Sequence, residues 1–140
     1  IFFPYGPGEP EARLVPSVLR SLCLGLPVKC SHGRQFRDFI HVTDAAAALV
    51  HLLLGTSQCG VFNIASGEPM RLGTLVELCA SHFVQPKTIE FGAVPVPVDD
   101  PLLLVGCTEK LRKTGWYPNI DLDCGIAGYV NYYKKRIIEC

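Results

Sequence analysis

The chain has 140 residues, 49% of them apolar and 19% charged, with 13 basic and 13 acidic side chains. That composition excludes a disordered chain. The length suits one core and no large two-domain enzyme, so residues 1–140 are expected to form a single domain. Zero net charge argues against a nucleic-acid partner, and no apolar run nears the roughly 18 residues of a membrane span.

The chain opens at Ile1 without a charged-then-apolar leader, and its only methionine is Met70. It is therefore expected to be part of a longer protein. "IFFPYGPGEPEA" begins as a short aromatic strand at Ile1–Phe3, stops at Pro4 and turns through Gly6-Pro7-Gly8. Leu14, Val15, Val18, Leu19 and Leu22 then fall at helical spacing, which predicts a helix over 13–24 ended by Gly25. "LPVKC" reads as a short extended piece, "SHGRQ" as a loop and "FRDFIHV" as a strand.

Thr43 or Asp44 is expected to cap an alanine-rich helix that runs to Leu54 and stops at Gly55. "GVFNIAS" reads as a buried strand. Leu72, Leu75, Val76, Cys79 and Phe83 mark another amphipathic helix. "TIEFGAV" is a further strand and "VPVPVDDP" a proline-punctuated loop. Thr108 is expected to cap a short helix ended by Gly115. Asp121 starts a last helix with Leu122, Ile126, Tyr129, Val130 and Tyr133 on one face. Alternating strands and helices predict an α/β fold with parallel strands.

The seven cysteines, Cys23, Cys30, Cys59, Cys79, Cys107, Cys124 and Cys140, include no C-x2-C pair. They are expected to be reduced and mostly buried, as in a cytoplasmic protein. The four histidines make no metal-ligand pattern. Lys134-Lys135-Arg136 is expected to be a solvated helix end.

No G-x-G-x-x-G turn, phosphate-binding loop or G-x-S-x-G elbow occurs. No tyrosine is followed four residues on by lysine; Tyr132 is followed by Arg136. The candidate chemistry lies instead in cations at loop-to-strand junctions. Arg37 precedes an apolar strand, where its guanidinium can fork onto a phosphate or pair internally with Asp38, Asp44 or another acid. Arg34 and Gln35 can donate to the same anion or face water. Arg13 opens the first helix, where free N–H groups favour an anion, and the turn at Tyr5 can form a cleft wall. His41 is expected to serve packing in its strand.

Read in order, Tyr5-Gly6-Pro7-Gly8-Glu9, Leu14-Val15-Pro16, Arg37-Asp38-Phe39-Ile40-His41-Val42 with Asp44, Val61 to Gly67, and Gly115-Trp116-Tyr117-Pro118 form one set. The set resembles the C-terminal part of the extended short-chain dehydrogenase/reductase family, the NAD(P)-dependent nucleotide-sugar epimerases and dehydratases. The resemblance implies a small mixed α/β substrate-binding lobe plus edge strands of a Rossmann-type cofactor-domain sheet. It implies a nucleotide-diphosphate sugar as ligand and NAD or NADP as the parent enzyme's cofactor, in isomerase or oxidoreductase chemistry.

Among site residues, it implies Arg37 on the diphosphate, with Gln35 beside it and Arg13, Leu14 and Tyr5 bordering the ligand. Val28, Lys29 and Cys30 would line the base and Pro4 the cofactor. The glycine-rich turn and the Tyr/Lys pair would lie before Ile1, so this chain alone is expected to be inactive and to bind no cofactor. Phe3, Cys30 and Cys107 stand where members carry an Asn, an aromatic and an Asp, and "VPVPVDD" lacks a second arginine. An interaction module without ligand, self-associating through the exposed edges of strands 1–3 and 61–65, is the alternative.

Overall fold

The computed structural model describes residues 1–84 and 88–138. In chain order the elements are β1 (Pro4–Tyr5), α1 (Leu14–Cys23), β2 (Val28–Cys30), β3 (Phe36–Asp38), β4 (Ile40–His41), α2 (Val42–Leu54), β5 (Pro69–Arg71), α3 (Leu72–Ser81), β6 (Ile89–Phe91), β7 (Leu103–Leu104), α4 (Glu109–Arg112) and α5 (Leu122–Ile138).

The strands make three small sheets. β1 pairs parallel with β4, and β2 parallel with β6. In the third, β3 lies between antiparallel β5 and parallel β7. The fold is mixed α/β; each parallel pair has at least one helix between its partners, and α2 also lies between antiparallel β3 and β5.

The helices α1, α3 and α5 pack around the larger core. Val15, Val18, Leu19 and Leu22 of α1 meet Leu75, Val76 and Cys79 of α3 and Ile126, Tyr129, Val130 and Tyr133 of α5. Their three- and four-residue spacing puts each set on one face. Gly25, with φ of 66°, takes the left-handed position after α1. Its N–H donates to Leu22 O and that of Leu26 to Ser21 O, so the helix's last carbonyls are satisfied.

A smaller core gathers Ile40, Ala45, Ala48, Ile64, Leu111 and Trp116. Ala45 and Ala48 let α2 approach closely, and the Trp116 ring fills the space beside them. The opposite side of α2 is apolar too: Leu49, Val50, Leu53 and Leu54 are exposed, the last two at 78% and 79%. Among the described residues no helix is long and apolar enough to cross a membrane.

Several expectations are corrected. The opening strand is Pro4–Tyr5, paired with Ile40–His41, rather than Ile1–Phe3; Phe2 and Phe3 are tied to either side by one bond each, Phe2 N to Ile64 O and Ile40 N to Phe3 O. Residues 61–65 form no ladder strand; a single backbone bond at Ile64 holds them to Phe2. β5 and β7, two short strands on either side of Arg37, were not expected. The cap of α2 is His41, whose Nδ1 accepts from Thr43 N at 3.3 Å. Cys59, Cys107 and Cys124 are exposed, and among the described residues only Cys30 and Cys79 are buried. The basic cluster near the C-terminus is the exposed end of α5 that was expected, with Lys135 and Arg136 exposed, although Lys134 also donates to His82 O and Arg136 meets Glu11 at the surface.

Candidate ligand-binding site

β3 is held on both sides, with Arg37 opposite Met70 of β5 and Leu104 of β7. Its side chain is 5% exposed, and a guanidinium so deep needs compensation for lost water. One amino group, Nη2, lies 2.6 Å from Asp100 Oδ1. The other, Nη1, donates to the carbonyls of Phe36 and Pro101, both at 2.8 Å. The Phe3 ring lies against the same cation, 5.7 Å from Cζ to centroid.

Gln35 is buried and donates from Nε2 to the other Asp100 oxygen at 3.1 Å. Asp100 thus bridges the two donors. Arg34 is exposed, and its backbone N–H donates to His32 Nδ1. Arg34 and Arg37, three residues apart, therefore sit in opposite environments.

The acids beside Arg37 in sequence do not pair with it. Asp38 points away from Arg37, as strand alternation requires, and is fully buried. Its oxygens accept from Ser66 N, Ser66 Oγ, Gly67 N and Gly106 N. Asp44 Oδ2 accepts from Asn119 N and Ile120 N. Asp38 ties distant loops to the strand that carries Arg37, and Asp44 ties another loop to the start of α2. The sequence signal for them was an acid flanking an apolar run.

A second group gathers at the first turn. Pro4, Tyr5, Glu9, Arg13 and Val42 line a cavity of about 260 Å3. Arg13 is the residue before α1 and Leu14 its first residue; Arg13 Nε lies 3.5 Å from Glu9 Oε1. Glu9 Oε2 is buried without a partner among the described residues. Burial pushes the Glu9 carboxyl up to about 7, with the Arg13 charge opposing.

The Tyr5 hydroxyl is likewise buried and unpartnered. Burial, with the charges of Asp121 and Asp44, pushes its pKa up. His41 stands edge-on to the Tyr5 ring at 5.3 Å, and burial lowers its pKa. The two groups are linked by an aromatic line: Tyr5 and Phe39 at 6.4 Å, Phe39 and Phe3 at 5.8 Å, then Arg37.

The extended piece behaves differently. Val28 and Cys30 turn inward and only Lys29 faces out, so the side chains of Val28 and Cys30 are committed to the interior. Cys30 Sγ lies 3.8 Å from Glu90 O.

Residues 1–65 match the model of the NAD dependent epimerase/dehydratase family. The chain is 28% identical over 130 residues to the CDP-abequose synthase of Salmonella typhimurium strain LT2, covering 87% of this chain and 43% of that protein. To the UDP-glucose 4-epimerase of Corynebacterium glutamicum it is 30% identical over 122 residues, covering 79% and 36%.

Among solved structures, the UDP-glucose 4-epimerase of Thermotoga maritima with UDP-glucose superposes with a TM-score of 0.86 at 24% identity, over 97% of this chain and 45% of that one. RMD from Pseudomonas aeruginosa, complexed with NADPH, gives 0.85 at 22%, over 96% and 46%. The chain spans less than half the length of these relatives. Over its first 65 residues it matches the NAD dependent epimerase/dehydratase family, and its fold is that of part of the Rossmann-type enzymes it superposes on, consistent with a C-terminal part.

Proposed function

We propose that these residues, acting as one unit, are the nucleotide-sugar-holding part of an NAD(P)-dependent sugar-nucleotide epimerase, dehydratase or reductase. The observation that carries this reading is the family match over residues 1–65. That segment holds Pro4, Tyr5, Arg13, Leu14, Val28, Lys29, Cys30, Gln35 and Arg37. In this reading Arg37 takes the diphosphate, because a guanidinium anchored by carbonyls on one edge presents a fixed fork on the other. Arg13 and the free N–H groups opening α1 border the same ligand. Positioning is the contribution of this part: it fixes the sugar relative to the reacting groups.

The 140 residues do not fit a dinucleotide, since they contain neither the glycine-rich turn nor a Tyr-x-x-x-Lys pair. NAD or NADP, which would supply the transient oxidation of the sugar, belongs to other segments of the whole enzyme. The chain alone turns over no substrate, and hydride transfer measured with it and NAD would end that part of the reading.

Calorimetry tests the assignment. UDP-, CDP- and dTDP-glucose are titrated into the wild type, Arg37→Ala and Arg34→Ala. Arg37→Ala is expected to weaken binding well beyond Arg34→Ala; equal effects would remove Arg37 from the site. The outer face of α2 favours a second reading, a self-associating module without ligand. Light scattering after size exclusion tests it, and a monomer at all concentrations would reject it.

A further inference from the structure

We propose that Asp100 is a built-in competitor for the Arg37 guanidinium, so that a diphosphate enters only by displacing the Asp100 carboxylate. The inference rests on the reading of Arg37 as the phosphate ligand.

The geometry is that of an occupied anion site. Two donors, Arg37 Nη2 and Gln35 Nε2, each meet one oxygen of the same carboxylate. A phosphate offers two oxygens in the same relation. The occupant sits on the solvent side: the Asp100 side chain is 28% exposed against 5% for Arg37. An incoming anion therefore meets the carboxylate before the cation, and Asp99 beside it is exposed and adds a second negative charge.

The receptor survives the exchange. Arg37 Nη1 is anchored to Phe36 O within its own strand, so the fork stays aimed when Asp100 leaves. The segment carrying Asp100 can move, since it runs from Gly92 to Pro101 without a helix or strand. The Asp100 backbone N–H is held there by one bond, to Pro97 O at 3.1 Å. Opening breaks a short turn and leaves the β3–β7 pairing in place.

A closed state lowers apparent affinity in proportion to its population. Asp100→Asn keeps the size of the side chain and one acceptor oxygen while removing the charge that holds Nη2. It is expected to bind inorganic pyrophosphate and UDP about tenfold more tightly than the wild type in calorimetry. Asp99→Asn makes the same charge change without touching Arg37 and is expected to give a clearly smaller gain.

Equal affinity of wild type and Asp100→Asn overturns the latch and leaves the reading of Arg37 intact. So does an equal gain from Asp99→Asn, which would reduce the effect to general electrostatics. Failure of both proteins to bind any diphosphate overturns the latch together with that reading. Should Asp100→Asn not fold, hydrogen exchange on the wild type decides the matter. Saturating pyrophosphate is expected to speed exchange of the Asp100 amide, and an unchanged rate would overturn the proposal.

Discussion

Asp38 holds Ser66 through a single oxygen: Oδ1 accepts the Ser66 backbone N–H at 2.7 Å and its hydroxyl at 2.6 Å. The other oxygen takes Gly67 N at 2.9 Å and Gly106 N at 3.1 Å. Asp38→Asn would turn an amide NH2 toward groups that are themselves donors. With a buried carboxylate lost from charge-assisted bonds, it is expected to cost about 3 kcal/mol or more. Thermal unfolding would then begin roughly 10 °C lower.

Asp44 makes a comparable tie at the start of α2, to Asn119 N and Ile120 N. Asp44→Ala leaves two N–H groups without that acceptor, and the expected loss is about 2 kcal/mol. Faster amide exchange at Asn119 and Ile120 than elsewhere in the chain would locate the effect.

These acids show what the sequence could and could not reveal. The helices α1, α3 and α5 were legible because their apolar residues recur at three and four. The end of α1 was legible because Gly25 needs a positive φ. "RDFIHV" identified Arg37 as the residue of interest, yet its partner Asp100 lies 63 positions away, and no local pattern announces a contact at that range. β5 and β7 were missed for the same reason: strands of two or three residues carry too little alternation to read, and they exist because β3 offers them edges. His41 replaced Thr43 and Asp44 as the cap because Asp44 is drawn to Asn119 and Ile120.

Glu9 gives a pH dependence of definite sign. Its carboxyl is raised from the ordinary 4.5 to about 7 by burial. The folded chain therefore holds a proton between those values that the unfolded chain has released. Stability contributed at Glu9 is fully present below 4.5 and is lost as pH rises through about 7. The unfolding temperature of Glu9→Gln should lack this decline. A wild-type and variant pair with parallel pH profiles across that window would refute the assignment.

Gly33 and Gly73 meet back to back. Gly73 N donates to Gly33 O at 2.9 Å, and a Cβ on Gly33 would stand 2.9 Å from Gly73 Cα. Gly33 also has φ of 66°, so Gly33→Ala adds backbone strain to a clash that no side chain can relieve. The expected cost is about 2 kcal/mol, read as a lowered denaturant midpoint with unchanged slope.

Thiol labelling should divide the cysteines. Cys59, Cys107 and Cys124 are exposed and are expected to be alkylated in the native protein. Cys79, buried and with its thiol pushed up to about 12 by desolvation, should react only after unfolding. Peptide mass spectrometry reads both sets, and native modification of Cys79 would contradict the packing of α3 against α1.

The strand pairings carry a kinetic consequence. Pro4 meets Ile40, Val28 meets Ile89, and Phe36 meets Leu103, so each parallel pair closes a large loop before it gains its bonds. Chain entropy opposes such closures until helices between the partners have begun to pack. Assembly is therefore slow compared with that of a helical bundle of the same size, and it cannot begin from one end. Replacing Leu103 and Leu104 by prolines would remove a neighbour from β3, on which the Arg37 site is built.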